Sequence, residues 1–240
     1  ANVGPVQVSF NGMNIWTGDA YAEQAAYTDH AYTQQSSVRR GNTYTISVNT
    51  EVNKQNVRVF IDYNNDGDFA DAGEQVFSHN GTSIPETHSG SITIPATAVT
   101  CAYLRMRVVS VFYSSTPSDY ACGPYTYGQA EDYGVYVVSD TPAVTSPVTL
   151  CQGATASALT ASGSNLKWYT AATGGTGVTA LIPSTATIGS TPYYVSQSGD
   201  GSATCESSRS ALVVNVIAAP AAPAVTSPVT YCQGAAASAL

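Results

Sequence analysis

The residues best placed to do chemistry lie between Ile61 and Glu74, in the run Ile-Asp-Tyr-Asn-Asn-Asp-Gly-Asp-Phe-Ala-Asp-Ala-Gly-Glu. Oxygen-bearing side chains at alternate positions, Asp62, Asn64, Asp66 and Asp68, can converge on one centre, and Gly67 permits the sharp turn that convergence needs. Hard oxygen donors in this spacing suit Ca²⁺. A helix–loop–helix calcium loop would place its bidentate glutamate at the twelfth position. Here Gly73 stands at that position, and Glu74 follows one residue later. The flanks, Val57–Ile61 and Gln75–Phe77, read as strands. The expectation is therefore a calcium loop between strands, with Asp62, Asn64, Asp66, Asp68, Asp71 and Glu74 as candidate ligands. Without a cation these carboxylates would crowd and repel one another.

Other catalytic constellations are missing. His30, His79 and His88 are scattered, and no HExxH, GxSxG or phosphate-cradling glycine loop occurs. His79 and His88 flank Glu86 in a Gly/Ser-rich stretch that reads as an exposed loop. No catalytic residue is assigned, and the chain is not read as an enzyme. A second acidic cluster, Gly128-Gln129-Ala130-Glu131-Asp132, precedes the last strand of the first domain. Trp16, Tyr125 and Tyr127 fall in loop-like stretches, where exposed rings could stack on a sugar or meet a protein.

The 240 residues carry 16 acidic and 8 basic side chains, a net charge of −8, which leaves no basic footprint for a nucleic-acid partner. Charged residues make up only 10% of the chain, against about 25% in an average globular protein. The polar surface is therefore built from Ser, Thr, Asn, Gln and Tyr, as in many secreted β-proteins. No apolar run is long enough to span a bilayer.

The elements that must position these groups show period-two alternation: Val6–Phe10, Tyr44–Val48, Val57–Ile61, Ser91–Ile94, Leu104–Val108 and Tyr133–Val137. No window holds a helical stripe over three turns. Seven or eight strands in the first 140 residues imply an antiparallel sandwich. A repeat follows. Pro142–Leu159 and Pro223–Leu240 differ only at Leu150/Tyr231 and Thr155/Ala236, at an offset of 81 residues. That period matches one immunoglobulin-like sandwich. The expected architecture is all-β: two antiparallel β-sandwiches in tandem, over 1–140 and 141–222, with 223–240 opening a third, immunoglobulin-like repeat. Its strand candidate Ala224–Tyr231 could pair with a neighbouring chain. The cysteine spacing suggests two local bridges, Cys101–Cys122 and Cys151–Cys205, with Trp168 packed on the second. The partner of Cys232 would then lie beyond residue 240.

The ordered motifs FIDYNNDGDFADAGEQVF, SITIPATAV, LRMRV, a Cys-Gly-Pro element and GQAEDYGVYV together resemble the GEVED domain of large secreted bacterial proteins, notably of Bacteroidetes. The likeness covers roughly residues 5–138. Gln129 and Ala130 depart from the motif that names the family, while Glu131 and Asp132 match it. The resemblance implies that these two residues face the calcium loop, adding Glu131 to the ligand set, or that they pin Arg105 or Arg107. The downstream unit is similar to immunoglobulin-like repeats that accompany such domains, and the association implies type IX export to the surface. The function so implied is a calcium-stabilised, secreted cell-surface adhesin or filament segment, meeting neighbouring copies or surface glycans and proteins. The alternative is a glycan- or protein-binding accessory module of a secreted hydrolase.

Overall fold

The computed structural model describes residues 3–18, 25–114, 121–123, 125, 127–225 and 227–236. No helix occurs among them; the chain is all-β. The first ten strands are β1 (Gln7–Phe10), β2 (Met13–Trp16), β3 (Tyr27–Asp29), β4 (Gln35–Val38) and β5 (Thr43–Thr50), then β6 (Gln55–Ile61), β7 (Gln75–Asn80), β8 (Glu86–Thr93), β9 (Tyr103–Phe112) and β10 (Gly128–Val137). Alternation explains most of them. In β5, Ile46, Val48 and Thr50 are buried while the residues between them are half-buried or exposed. β1 and β2 form a hairpin over Asn11-Gly12, both with positive φ (36° and 86°), the pairing a two-residue turn of primed type requires.

One sheet runs β2-β1-β5-β8 and is antiparallel throughout; the other runs β3-β10-β9-β6-β7. The core lies between them. Val8, Phe10, Ile46, Val48 and Ile92 from the first sheet meet Val57, Val59, Ile61, Leu104, Met106, Val108 and Tyr133 from the second. β6 and β10 are buried along their whole length. β6 is covered on its outer face as well, because Phe69 and the Tyr125 ring fold over Phe60, Val109 and Val111.

The pairing is not wholly antiparallel. β3 and β4 run parallel to β10 and cover its edge in succession. The switch from one to the other passes over Gly134, where a Cβ would lie 2.5 Å from the Ala31 carbonyl oxygen. Glycine is needed there because the backbones approach so closely.

The second unit holds β11 (Val148–Cys151), β12 (Lys167–Tyr169), β13 (Gly189–Ser196) and β14 (Ser210–Ile217), in sheet order β11-β14-β13-β12. β11 is parallel to β14 and the other pairs are antiparallel. Trp168 is buried among Leu159, Val195, Leu212, Val214 and Val216. Residues 218–225 and 227–236 are exposed and outside any strand.

The cysteine pairing differs from the expectation. Cys101 is bonded to Cys205, across the junction of the two units, while Cys122, Cys151 and Cys232 are free. Strand geometry explains why the local pairs fail. Cys151 lies opposite Ile217 at the end of β14, whereas Cys205 precedes the start of that strand. Those ends are about 23 Å apart at 3.3 Å per residue, far beyond the reach of a disulfide. Cys122 takes a hydrogen bond from Arg107, four residues or about 13 Å along β9 from the end where Cys101 sits. Trp168 consequently packs on aliphatic side chains and not on a disulfide.

Candidate metal centre

β6 delivers its last residue, Ile61, into a loop that returns at β7. The loop is clamped at its neck: Ile61 N–H donates to the Glu74 carbonyl (2.8 Å) and Asp62 N–H to the Arg105 carbonyl (3.0 Å). Within it, short polar side chains fold back on the backbone, as Asn and Asp do in turns. The Asp62 carboxylate accepts from Asp66 N–H (3.2 Å) and Gly67 N–H (3.0 Å). Asp66 accepts from Asp68 N–H (3.1 Å), and Asp68 from Ala70 N–H (2.8 Å). Asn64 Nδ2 donates to Asp66 (2.9 Å) and Asp71 (2.6 Å), drawing those two carboxylates together. Gly67 has φ of +97°, the left-handed conformation the turn demands.

Carboxylate oxygens of Asp66, Asp68 and Asp71 all lie within 4.8 Å of one another at the exposed rim. Hydrogen bonds from the Asp68 N–H and the Asn64 side chain hold the Asp66 carboxyl below its usual range. Glu74 is different. It is 2% exposed, its Oε1 accepts from Tyr63 N–H (2.9 Å), and its Oε2 has no hydrogen-bond partner. Burial, and then the neighbouring Asp62 charge, push its pKa up. An open cleft of about 540 Å³ lies alongside, lined by Tyr63, Asp71, Glu74, Val76, Ile92 and Pro95 among others.

Residues 56–136 match the GEVED domain, and residues 140–217 match the Ig-like domain CHU_C associated. The chain carries a GEVED domain followed by an immunoglobulin-like domain. No curated protein matches it. This pair of domains points to an extracellular, non-catalytic module.

Within the GEVED domain hydrogen bonds join Asp62, Asn64, Asp66, Asp68 and Asp71, while the Glu74 carboxylate is bonded to Tyr63 N–H at the neck of the loop and Glu131 does not join them. Glu131 lies on β10 opposite Val108 of β9, two strands across from β6, and is buried. It accepts from Tyr133 Oη and from Thr17 Oγ1, so its carboxylate closes the sandwich interior. Its neighbour Asp132 takes the other face of the strand. There it accepts from Arg107 Nε and Nη2 (2.7 Å each), Arg105 Nη1 (2.5 Å) and Tyr27 Oη (2.8 Å). Those charged hydrogen bonds push both arginine pKa values up. The tail of the family motif is thus a structural clamp, one carboxylate on each face of a buried strand.

The three candidate ligand-facing aromatics separate. Trp16 (65% exposed) lines a shallow cleft with Glu51, Pro85 and Glu86, and neither tyrosine shares that cleft. Tyr127 is exposed. Tyr125 turns inward, its ring on the Phe60 cluster and its hydroxyl donating to the Ala121 carbonyl (2.7 Å), because the outer face of β6 needs cover. Sequence inspection also missed the placement of His79 and His88. They occupy strands β7 and β8, not a loop; their neighbours Gln75–Phe77 and Ser91–Ile94 carried the only signal.

Proposed function

We propose that this chain is a non-catalytic segment of a secreted cell-surface adhesin or filament, stiffened by calcium in the GEVED domain. The observation that carries the calcium reading is Glu74, a buried carboxylate with an unpartnered oxygen, lining the same cleft as Asp71 of the converging Asp66, Asp68 and Asp71. Leaving a buried charged acceptor unmatched is costly, and a hard cation removes that cost together with the repulsion at the rim. Asp66, Asp68 and Asp71 would hold the ion, with Asp62, Asn64 and Glu74 as the remaining oxygen donors of the loop. Calcium would then act through folding linkage, contributing about 2.7 kcal/mol at a hundredfold excess over Kd. The scaffold reading is supported by the covalent tie between the two domains and by the 81-residue duplication, which suit a chain of joined units.

Thermal melts of the full chain in millimolar calcium and in chelator test the first half. The expected rise for a domain of this size is roughly 5–10 °C. An unchanged midpoint removes calcium from the proposal. The second half predicts that the native protein is found on the cell surface or in extracellular fibres; retention inside the cell sinks it.

A glycan- or protein-binding accessory role is the second reading, favoured by Trp16, whose indole is largely exposed beside a cleft. Under that reading Trp16→Ala abolishes retention of the chain on immobilised polysaccharide.

A further inference from the structure

β7 and β8 are the edge strands of opposite sheets on the same side of the sandwich, each paired on one flank only. Side chains from both strands meet in the gap between them. On β8, Glu86, His88, Gly90 and Ile92 share the inward face; on β7, Phe77 and His79 share theirs. Gly90 lets the Phe77 ring come close, since a Cβ there would lie 2.6 Å from it. The His79 ring stacks on Phe77 and meets the His88 ring edge-on.

His88 occupies a core position that an apolar residue would normally fill, and it is completely buried. Burial is the main cause that lowers its pKa to about 4, so the imidazole is neutral at ordinary pH. Its Nε2 lies 3.0 Å from the hydroxyl of buried Thr50. Its Nδ1 faces outward to His79 Nδ1 at 2.8 Å, and the nearer Glu86 oxygen is 4.0 Å from His79 Nδ1. All three donor atoms fall within 4.8 Å of one another. A single proton between the two imidazoles explains one contact. Glu86 also accepts from Thr82 N–H (2.7 Å), Thr82 Oγ1 (3.1 Å) and Ser83 N–H (3.1 Å), which hold its carboxylate beside the two rings. None of these contacts accounts for the cost of an imidazole in the core.

We propose that His79, Glu86 and His88 form a second metal site, taking a zinc-class divalent ion that fastens the two sheets along their open edge. Two imidazole nitrogens and one carboxylate oxygen suit zinc or its transition-metal neighbours and not calcium. The Thr50 hydroxyl fixes the His88 tautomer by accepting from Nε2–H, leaving the Nδ1 lone pair for the ion, the usual arrangement around a ligating histidine. Tetrahedral bonds of about 2.0–2.1 Å place two nitrogens roughly 3.3 Å apart, so the imidazoles need to open by only a few tenths of an ångström. The His79 side chain is 40% exposed, which gives the ion a way in and leaves room for a water ligand. The loop of Asp66, Asp68 and Asp71 contributes nothing to this site, and the proposal does not depend on it.

The test uses the full chain stripped of metal and kept in excess calcium. Titration calorimetry with Zn²⁺ should show one saturable site per chain, and Co²⁺ should give the intense visible bands of a tetrahedral centre. His79→Ala, at the accessible side, and Glu86→Gln should each weaken Zn²⁺ by about tenfold or more, ~1.4 kcal/mol. The metal-free melting midpoint of His79→Ala should stay near the parent's, and His30→Ala should bind like the parent. The proposal is overturned if Zn²⁺ does not saturate at one per chain, or if His79→Ala and Glu86→Gln bind as tightly as the parent.

Discussion

A buried carboxylate reports on its surroundings through its titration, and Glu74 does so here. Its pKa in the ion-free fold is raised, so the folded state favours the protonated form. The stability this provides is complete below the unfolded value and is lost as pH rises through the folded one. In chelator, the parent's melting midpoint should therefore fall across the range just above pH 4.5, relative to Glu74→Gln. With calcium present the difference should vanish, because the cation satisfies the ionised form. Glu74→Gln should also blunt the calcium-induced rise in midpoint. A parent and variant that track each other across pH in chelator would show that Glu74 is not the strained group. Asp132 makes the opposite case, a buried charge fully engaged by two arginines. Asp132→Asn leaves Arg107 without its anion, while Arg105 keeps Asp29, and should cost roughly 3 kcal/mol in urea unfolding. The convergence of Asp66, Asp68 and Asp71 could be read from spacing alone because they are local in sequence. Glu131 could not, because its position beside Asp62–Glu74 or away from it depends on strand order, which adjacent residues do not encode.

The same contrast between local and distant information holds for the strands. Those with one face buried, such as β1 and β5, announce themselves by alternation. β3 and β4 are three and four residues long, with little apolar content, and they run parallel to β10. Nothing in so short a polar stretch marks it as the cover of a buried edge. Gly134 is the telling position, since it sits where the chain crosses from β3 to β4. Gly134→Ala would drive a methyl into the Ala31 carbonyl and should destabilise the GEVED domain by about 1–3 kcal/mol. Hydrogen exchange should locate the damage: the amides of Ala130 and Gly134, which donate to Ala26 and Gln34, should lose protection before those of β5. Uniform loss over both sheets would mean that β3 and β4 are not a separable cover. His79 and His88 follow the same logic. A Gly/Ser-rich stretch hides strands when the edge positions are polar, and the two rings meet only because the two sheets are stacked.

At the scale of the whole molecule, the junction between the domains decides whether they move as one body. The Cys101–Cys205 bond is joined there by Ser139 N–H donating to the Cys205 carbonyl (3.3 Å), Gly199 N–H to Ser139 Oγ (2.9 Å) and Gln197 Nε2 to the Asp140 carbonyl (2.8 Å). Tyr136 and Val138 pack against Cys205 beside them. This apolar patch is small, and an interface of that kind permits domain motion unless something fixes it. The disulfide supplies the constraint. It closes a loop of 104 residues, for which chain entropy alone predicts roughly 4–5 kcal/mol if both domains unfold together. Independent unfolding hides most of that contribution, and the bond then acts chiefly on orientation. Two measurements separate these cases. Alkylation of the unreduced chain should label Cys122, Cys151 and Cys232 and spare the other two, whereas reduction exposes all five cysteines. Small-angle scattering of Cys205→Ser should then show a broader distribution of dimensions than the parent, with little change in either domain's melt. Identical scattering would assign the junction's rigidity to the hydrogen bonds of residues 139–140. A large common drop in both melts would instead make the two domains one cooperative unit held by the bond.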